Sequence, residues 1–219
     1  MDRPYAGRVE PVHEVGVGPW VGPWPDDERY EPQLLAEGDR RNVVDRYRYW
    51  RVEAIVADLD RTRHPLHVAV ENWRHDLNIG SVVRTANAFN AATVHVVGNR
   101  RWNRRGAMVT DRYMHVLHHP GVEDLLLWAR ERELPVLGVD NLPGAVPLEG
   151  YPLPRECVLL LGQEGPGLSA AAHEACDAVL SIAQFGSTRS INASAAAAIA
   201  MHAWIRTHAD LSGGDAWRG

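Results

Sequence analysis

Apolar residues from residue 66 onward follow two alternating patterns, one typical of strands and the other of helices. Apolar or β-branched runs of strand length occur at residues 66–70, 93–97, 135–139, 157–162 and 178–182. Between these runs, apolar residues recur at intervals of three and four over residues 78–90, 121–133, 169–175 and 194–207. Strands that alternate with helices predict an α/β fold, with a mostly parallel sheet and helices on both faces.

The first 64 residues have a different pattern. Residues 1–40 contain six prolines, and proline and glycine at this density prevent a long helix or strand, so this segment is predicted to be a tail. Trp20 and Trp24 within it indicate that part of the tail docks on an apolar surface. Residues 41–64 are predicted to form a helix, because their apolar residues recur at helical spacing. Residues 65–210 are then the α/β domain and residues 211–219 a C-terminal tail.

Three polar segments follow predicted strands, and the first is ENWRHDLNIGSVVRTANAF at residues 71–89. Asn78 lies where a side-chain oxygen can cap the following helix, and Gly80 permits close approach of another backbone. Arg84 lies on the same helical face as Gly80. The start of a helix after a strand is where α/β proteins bind ligands, although a capped helix with a surface arginine explains this segment equally well.

The second segment is LLLGQEGPGLS at residues 159–169, where a buried strand enters a loop rich in glycine. Such a loop offers bare backbone groups to a ligand. It lacks the lysine and the hydroxyl residue of a phosphate-binding P-loop, and no GxGxxG pattern follows the first strand, which disfavours a nicotinamide-dependent enzyme. Ser169 is suited to cap the next helix.

The third segment, residues 181–204, contains a glycine-bearing loop, a polar cluster and an alanine-rich helix. Ser190, Asn192 and Ser194 form the polar cluster at the start of that helix. Small residues let backbones approach closely, which suits a tightly threaded chain. A simple capped helix with an alanine face is the alternative.

Together and in this order, the three segments resemble the motifs of the SpoU/TrmH family of RNA methyltransferases, within the SPOUT superfamily. The resemblance extends from residue 66 to about residue 207, and it rests on Asn78, Gly80, Arg84, Gly162, Glu164, Gly165, Gly167, Ser190, Asn192 and Ser194. The sequence departs from the family pattern at three positions. Asn90 replaces a common glycine, Ala183 replaces a proline and Ile191 replaces a leucine.

The resemblance implies a deep C-terminal trefoil knot, S-adenosylmethionine as cofactor and a homodimer with its active site at the interface. The implied reaction is methylation of a ribose 2′-hydroxyl in tRNA or rRNA. The implied catalytic residues are Arg84, Asn78, Glu164, Ser190 and Asn192. The implied cofactor-binding residues are Leu161, Gly162, Gly167, Ile182, Gln184, Ile191 and Ala193. A non-catalytic RNA-binding protein that retains the knotted fold is the alternative function.

The charge distribution limits where RNA can bind. The net charge is −5, whereas proteins that bind nucleic acid non-specifically are usually basic. The segment NRRWNRRG at residues 99–106 is nevertheless strongly basic, and its arginines flank Trp102. Arginine beside an aromatic ring suits contact with phosphates and bases, although a solvated basic loop is the alternative. The predicted RNA-binding residues are Arg84, Arg100, Arg101, Arg104 and Arg105. tRNA is slightly favoured, because the N-terminal segment does not resemble a separate domain for binding ribosomal RNA.

Several classes of protein are disfavoured. No apolar run approaches the roughly 18–20 residues of a membrane span, and the N-terminus lacks the apolar core of a signal peptide, so we expect a soluble, cytoplasmic protein. His115, His118 and His119 have no cysteine or carboxylate at ligand spacing, and the family uses no metal, so we expect no metal site. Cys157 and Cys176 are expected to be buried, reduced thiols.

Overall fold

A computed structural model describes residues 16–73 and 78–212, so residues 1–15 of the predicted tail, residues 74–77 of the first motif and residues 213–219 lie outside the described residues. Within the described ranges seven strands form one sheet: β1 His64–Asn72, β2 Ala91–Gly98, β3 Val116–His119, β4 Val136–Val139, β5 Val146–Pro147, β6 Cys157–Leu161 and β7 Ala178–Ser181. Their order is β3-β2-β1-β6-β4-β7-β5, and every adjacent pair is parallel. The predicted parallel α/β sheet is confirmed, and β3 and β5 add to the five strands that the apolar runs indicated.

Helices cover both faces of this sheet. The helices in the described ranges are α1 Pro32–Glu37, α2 Val52–Asp60, α3 Ile79–Ala88, α4 Val122–Arg130, α5 Ala170–Ala175 and α6 Ala193–His208, and the last four of them pack on the sheet. Helices α3 and α6 pack on one face, and α4 and α5 on the other. Alternate side chains of β6 enter the two cores, which explains the unbroken apolar run of this strand. No helix in the described ranges combines the length and apolarity needed to cross a bilayer.

The helix predicted from residue 41 is wrong in its first half. Asp45–Tyr47 form only a single 3₁₀ turn, Tyr49 has a φ of +63°, and α2 begins at Val52. The cause is a tertiary contact, because the backbone around Tyr49 pairs with the preceding segment. The Glu31 amide donates to the Tyr49 carbonyl over 2.8 Å, and an antiparallel bridge lies next to it. This pairing outweighs the helical spacing of the apolar residues.

The described part of the N-terminal segment packs against its own chain through Trp20. The Trp20 ring meets the rings of Tyr30 and Tyr49 edge-on, at centroid distances of 6.0 and 5.4 Å. Trp24, by contrast, is 54% exposed. The docking expected for this segment therefore uses one of its two tryptophans.

Both cysteines are free thiols in the sheet region, as the sequence predicted. The expected burial is confirmed for Cys157, whereas Cys176 is only half-buried. Burial raises the pKa of Cys157 to about 12 and that of Cys176 to about 11. Both therefore remain protonated and unreactive at neutral pH.

Three histidines on neighbouring strands form a buried row beneath α4. His67 Nδ1 lies 3.2 Å from His95 Nε2, and His95 Nδ1 lies 2.9 Å from His119 Nε2. The Trp128 ring covers the row, with its centroid 4.3 Å from that of His95. Burial lowers the pKa of His67 to about 4 and that of His95 to about 2. The described residues contain no group of three or more His, Cys, Asp or Glu side chains placed to hold a metal ion.

The buried row makes the fold sensitive to acid. Below the ordinary histidine pKa of about 6.5 the unfolded chain takes up protons on His67 and His95 that the folded chain excludes. The free energy of unfolding therefore falls between about pH 6.5 and 4, by about 1.4 kcal/mol per pH unit for each histidine. Urea unfolding at pH 7.0 and 5.5 measures this fall. We expect the free energy of unfolding to fall less in His95→Phe than in His173→Gln, a control that replaces an exposed histidine of α5. Equal falls in the two variants would contradict this account.

Candidate functional site

The carboxyl ends of β4, β6 and β7 enclose a cleft of about 610 Å³, a volume that includes space open to solvent. The carboxyl edge of a parallel sheet is the usual ligand site of α/β proteins. The lining residues are Val139, Asp140, Asn141, Leu161, Gly162, Gln163, Glu164, Gly165, Gly167, Ile182, Gln184, Ser190, Ile191, Ala193 and Ala196.

Every residue predicted to bind the cofactor lines this cleft. They come from the end of β6 and its glycine loop, the end of β7 and the start of α6: Leu161, Gly162, Gly167, Ile182, Gln184, Ile191 and Ala193. Residues separated by up to 32 positions in sequence thus share one cleft. Their role in cofactor binding stays a prediction.

The glycine loop, residues 162–168, is a closed turn whose backbone depends on glycine at three positions, namely Gly162, Gly165 and Gly167. The Gln163 amide donates to the Gly167 carbonyl over 3.0 Å, and the Gly167 amide donates back to the Gln163 carbonyl over 3.1 Å. A Cβ atom on Gly162 would overlap the carbonyl carbon of Gly167 and the amide nitrogen of Leu168. Gly167 has a φ of +75°. The loop therefore presents bare backbone to the cleft.

Asp140 and Asn141, at the end of β4, also line the cleft and are absent from the predicted site residues. Asp140 Oδ2 accepts the Leu168 amide over 2.7 Å, which ties the glycine loop to β4. The Asn141 side chain donates to the Arg189 carbonyl over 3.2 Å, which ties the loop before α6 to the same strand. A signal was present in the sequence, because this polar pair directly follows the apolar run at residues 135–139.

A hydrogen-bonded network joins the three motifs at the rim of the cleft. Glu164 Oε2 accepts from Asn78 Nδ2 over 3.0 Å, from Asn192 Nδ2 over 3.2 Å and from the Ala193 amide over 2.9 Å. Asn192 Nδ2 also donates to Asn78 Oδ1 over 2.9 Å. One carboxylate thus orders a residue from each of the other two motifs.

The expected cap by Asn78 is wrong. Its side chain makes no capping hydrogen bond to α3, because the side-chain amide is engaged by Glu164 and Asn192 instead. Ser169 does cap α5, as the sequence predicted, by accepting the Ala172 amide over 3.2 Å. Asn192 serves two purposes, since its oxygen caps α6 while its amide nitrogen enters the network.

The five predicted catalytic residues occupy different positions. Glu164 and Ser190 line the cleft, and Asn78 and Asn192 belong to the network at its rim. Arg84 does not line the cleft and is exposed on α3. Arg84 lies six positions after Asn78, which corresponds to roughly 9 Å along the helix axis.

The basic segment forms a turn, here called the arginine turn and defined as residues 99–107. Its position is fixed by Asn72, a fully buried residue whose side chain donates to the carbonyls of Asn99 over 2.6 Å and Arg101 over 2.9 Å. Gly80 packs against the other side, where a Cβ would lie 2.8 Å from the Ala107 amide nitrogen. The close approach predicted at Gly80 is confirmed, and its partner is this turn.

The side chains of the arginine turn divide between core and solvent. Trp102 packs partly against the hydrophobic core, and the Arg104 guanidinium lies 5.5 Å from the centroid of its ring. The ring thus contributes to the fold, which conflicts with the suggestion that it is free to stack on bases. The arginines of the predicted RNA-binding set in this turn are exposed: Arg100, Arg101, Arg104 and Arg105.

Two glutamines in the cleft favour a ligand that carries hydrogen-bond donors. Gln163 Oε1 and Gln184 Oε1 are buried, and neither has a hydrogen-bond partner within the described part of the chain. Buried acceptors are almost always satisfied in folded proteins. Amino or hydroxyl groups of a bound ligand would donate the hydrogen bonds that these two oxygens lack.

Comparison with known sequences identifies similar proteins. Residues 65–202, more than half of the chain, match the model of the SpoU rRNA Methylase family. A curated relative from Mycolicibacterium vanbaalenii, an uncharacterised tRNA/rRNA methyltransferase, is 31% identical over 188 residues, which are 77% of this chain and 56% of that protein. A relative of the same description from Mycobacterium marinum is 28% identical over 218 residues. The match covers 91% of this chain and 66% of the relative, so this chain spans less than two thirds of either protein.

Solved structures share the fold. The SpoU methyltransferase AviRb from Streptomyces viridochromogenes, in complex with the cofactor AdoMet, superposes with a TM-score of 0.60 at 25% identity, over 68% of this chain and 60% of that one. The TrmH/SpoU tRNA modifying enzyme of A. aeolicus has a TM-score of 0.64 at 20% identity, over 72% and 82% of the two chains. The second likeness concerns the fold alone.

Proposed function

Because this chain belongs to the SpoU rRNA Methylase family, we propose that it transfers the methyl group of S-adenosylmethionine to a ribose 2′-hydroxyl of RNA. The observation that carries the proposal is the convergence of the three motifs, since Glu164 holds both Asn78 and Asn192 at the rim of one cleft. The similarity to relatives described as tRNA/rRNA methyltransferases supports the same reaction class.

The cleft suits S-adenosylmethionine, whose amino and hydroxyl groups are hydrogen-bond donors. The unsatisfied oxygens of Gln163 and Gln184 can accept from such groups, and the glycine loop offers backbone amides and carbonyls without side chains in the way. Leu161, Ile182 and Ile191 supply apolar walls. When bound, the cofactor supplies a methyl group on a positively charged sulfur. The complex of AviRb with AdoMet supports this choice for the family.

The protein's part in the reaction is to position the acceptor hydroxyl and to stabilise the negative charge that develops on its oxygen as the hydroxyl proton passes to solvent. We assign Arg84 to the second task and to holding the neighbouring phosphate, because arginine carries its charge at every accessible pH and donates in a bidentate geometry. Glu164, Asn78 and Asn192 fix the rim of the cleft through their hydrogen bonds. Ser190, which lines the cleft, can hydrogen-bond to the ribose.

A homodimer is part of the proposal. Arg84 is exposed on α3 and outside the lining of the cleft, which suits a site completed by a second copy of the chain. The deep trefoil knot of the family is likewise proposed for the C-terminal part of the domain, and family membership is its support. Light scattering after size exclusion tests the dimer, and a mass of one chain at micromolar concentration would contradict it.

We propose that RNA contacts the exposed arginines of the arginine turn. Each arginine that neutralises a phosphate adds about 0.7–0.9 to the slope of log affinity against log salt. The double variant Arg101→Ala/Arg104→Ala should therefore bind RNA more weakly and with a slope smaller by about 1.5. Filter binding at several salt concentrations measures both quantities.

The matched control for this double variant is Arg130→Ala/Arg155→Ala. It removes the same charge from exposed positions before β4 and β6, at the opposite edge of the sheet from the cleft. We expect it to bind RNA almost as the unchanged protein does. Equal losses of slope in the two double variants would show that RNA binding depends only on the net charge of the protein. The assignment to the arginine turn would then be wrong.

The experiment that tests the proposed reaction supplies tritiated S-adenosylmethionine with unmodified tRNA or rRNA. Incorporation of the label into one RNA class supports the proposal and names the class of substrate. RNA binding without incorporation, together with calorimetry that detects no cofactor binding, would support the alternative of a non-catalytic RNA-binding protein.

A further inference from the structure

Phe185 is the most exposed of the large hydrophobic side chains in the described ranges, at 98%. It lies in the loop of residues 183–189, between β7 and α6. An aromatic ring kept fully in water forgoes the free energy that burial would contribute. The ring is therefore open to contact with a bound molecule.

The loop that carries Phe185 is held at both ends. The Ala183 amide donates to Glu149 Oε1 over 2.9 Å, and the Arg189 carbonyl accepts from the Asn141 side chain over 3.2 Å. Residues on either side of Phe185 line the cleft, namely Gln184 and Ser190. The ends of the loop are therefore fixed, and Phe185 lies between them beside the rim where the acceptor ribose is proposed to lie.

The chemistry of the loop fits RNA. Residues 183–190 contain one basic side chain, Arg189, and no acidic one. Arg189 is exposed, as are the hydroxyl side chains of Ser187 and Thr188. An aromatic ring beside an arginine is the combination that proteins use for unpaired bases and their phosphates.

We propose that Phe185 stacks on a base of the RNA substrate next to the methylated ribose, while Arg189 contacts a phosphate. This inference rests on the proposed function. The stacked ring would be a second contact with RNA, separate from the arginine turn. The tryptophan of that turn, Trp102, is packed partly into the core. The substrate is then RNA that is single-stranded, or that unstacks, at the methylated position.

The test compares Phe185→Ala, Phe185→Leu and Phe185→Trp for binding of the RNA that the protein methylates, measured without cofactor. Loss of a stacked base weakens binding by about 5- to 150-fold, so we expect a fall of this size in Phe185→Ala and a comparable one in Phe185→Leu. Phe185→Trp should bind about as tightly as the unchanged protein. The control is Leu127→Ala, which truncates a side chain that is 59% exposed on α4.

Three results would overturn the inference. RNA binding by Phe185→Leu equal to that of the unchanged protein would exclude aromatic stacking. Weaker binding of S-adenosylmethionine by Phe185→Ala in calorimetry would show that the ring contacts the cofactor. A lower mass of Phe185→Ala in light scattering would show that the Phe185 ring is a contact between protomers. Failure of the proposed function is distinguishable from these three results, because the unchanged protein would then transfer no methyl group to RNA.

Discussion

The substitution Gly162→Ala should greatly weaken cofactor binding. The new Cβ would overlap the backbone of Gly167 and Leu168, and no flexible side chain is there to yield. The glycine loop must then open, which breaks its paired hydrogen bonds and moves the backbone that faces the cleft. Overpacking of this kind typically costs about 1–3 kcal/mol, and a displaced binding loop adds to that cost. We expect affinity for S-adenosylmethionine to fall by about 100-fold or more in isothermal titration calorimetry.

Gly186→Ala is the matched control for this substitution. Gly186 belongs to the loop that forms another side of the cleft, and a Cβ there would meet nothing within 4 Å. The same added methyl group should therefore leave cofactor affinity nearly unchanged. Normal affinity in Gly162→Ala would show that the cofactor does not depend on the glycine loop.

Replacement of Arg84 by alanine should lower the rate of methyl transfer by about 100- to 1,000-fold, the usual loss when one group that stabilises developing charge is removed. Cofactor affinity should not change, because Arg84 lies outside the lining of the cleft. The fold should also be preserved, since the side chain is exposed. Arg84→Lys should recover little of the loss, because an ammonium group cannot reproduce bidentate contact with a phosphate. Single-turnover kinetics at saturating cofactor measure the effect.

Arg130→Ala removes an exposed arginine from α4, on the opposite face of the sheet, and serves as the control. Its rate should match that of the unchanged protein. An undiminished rate in Arg84→Ala would remove Arg84 from the catalytic set, and a rate restored fully by lysine would reduce its role to charge alone.

The sequence predicted the parts of the fold that depend on local patterns. The unbroken apolar run at β6 requires burial on both faces, and the structure places alternate side chains of β6 in two cores. The spacing of apolar residues also predicted helices α3 to α6. The same spacing was misleading at residues 41–51, because backbone pairing with the N-terminal segment overrides it. A contact between segments that are distant in sequence produces no periodic pattern of apolar residues, so the sequence does not predict it.

The site was predictable in composition but not in geometry. The predicted cofactor-binding residues share one cleft, yet the partner of Asn78 was not evident. A lone asparagine before a helix has the pattern of a cap, and only the placement of Glu164, 86 positions away in sequence, shows why its amide is engaged elsewhere. Asp140 was overlooked because it belongs to none of the three motifs. The row formed by His67, His95 and His119 arises only when three strands become neighbours.

The measurement that tests the central claim most directly is the identity of the methylated nucleoside. Unmodified tRNA and rRNA are incubated with the protein and S-adenosylmethionine, digested to nucleosides and analysed by mass spectrometry, with Gly162→Ala as the inactive control. We predict that one nucleoside gains a methyl group on its ribose and that the control yields none. A methyl group on a base, or no methylated nucleoside in either RNA class, would contradict the proposed function.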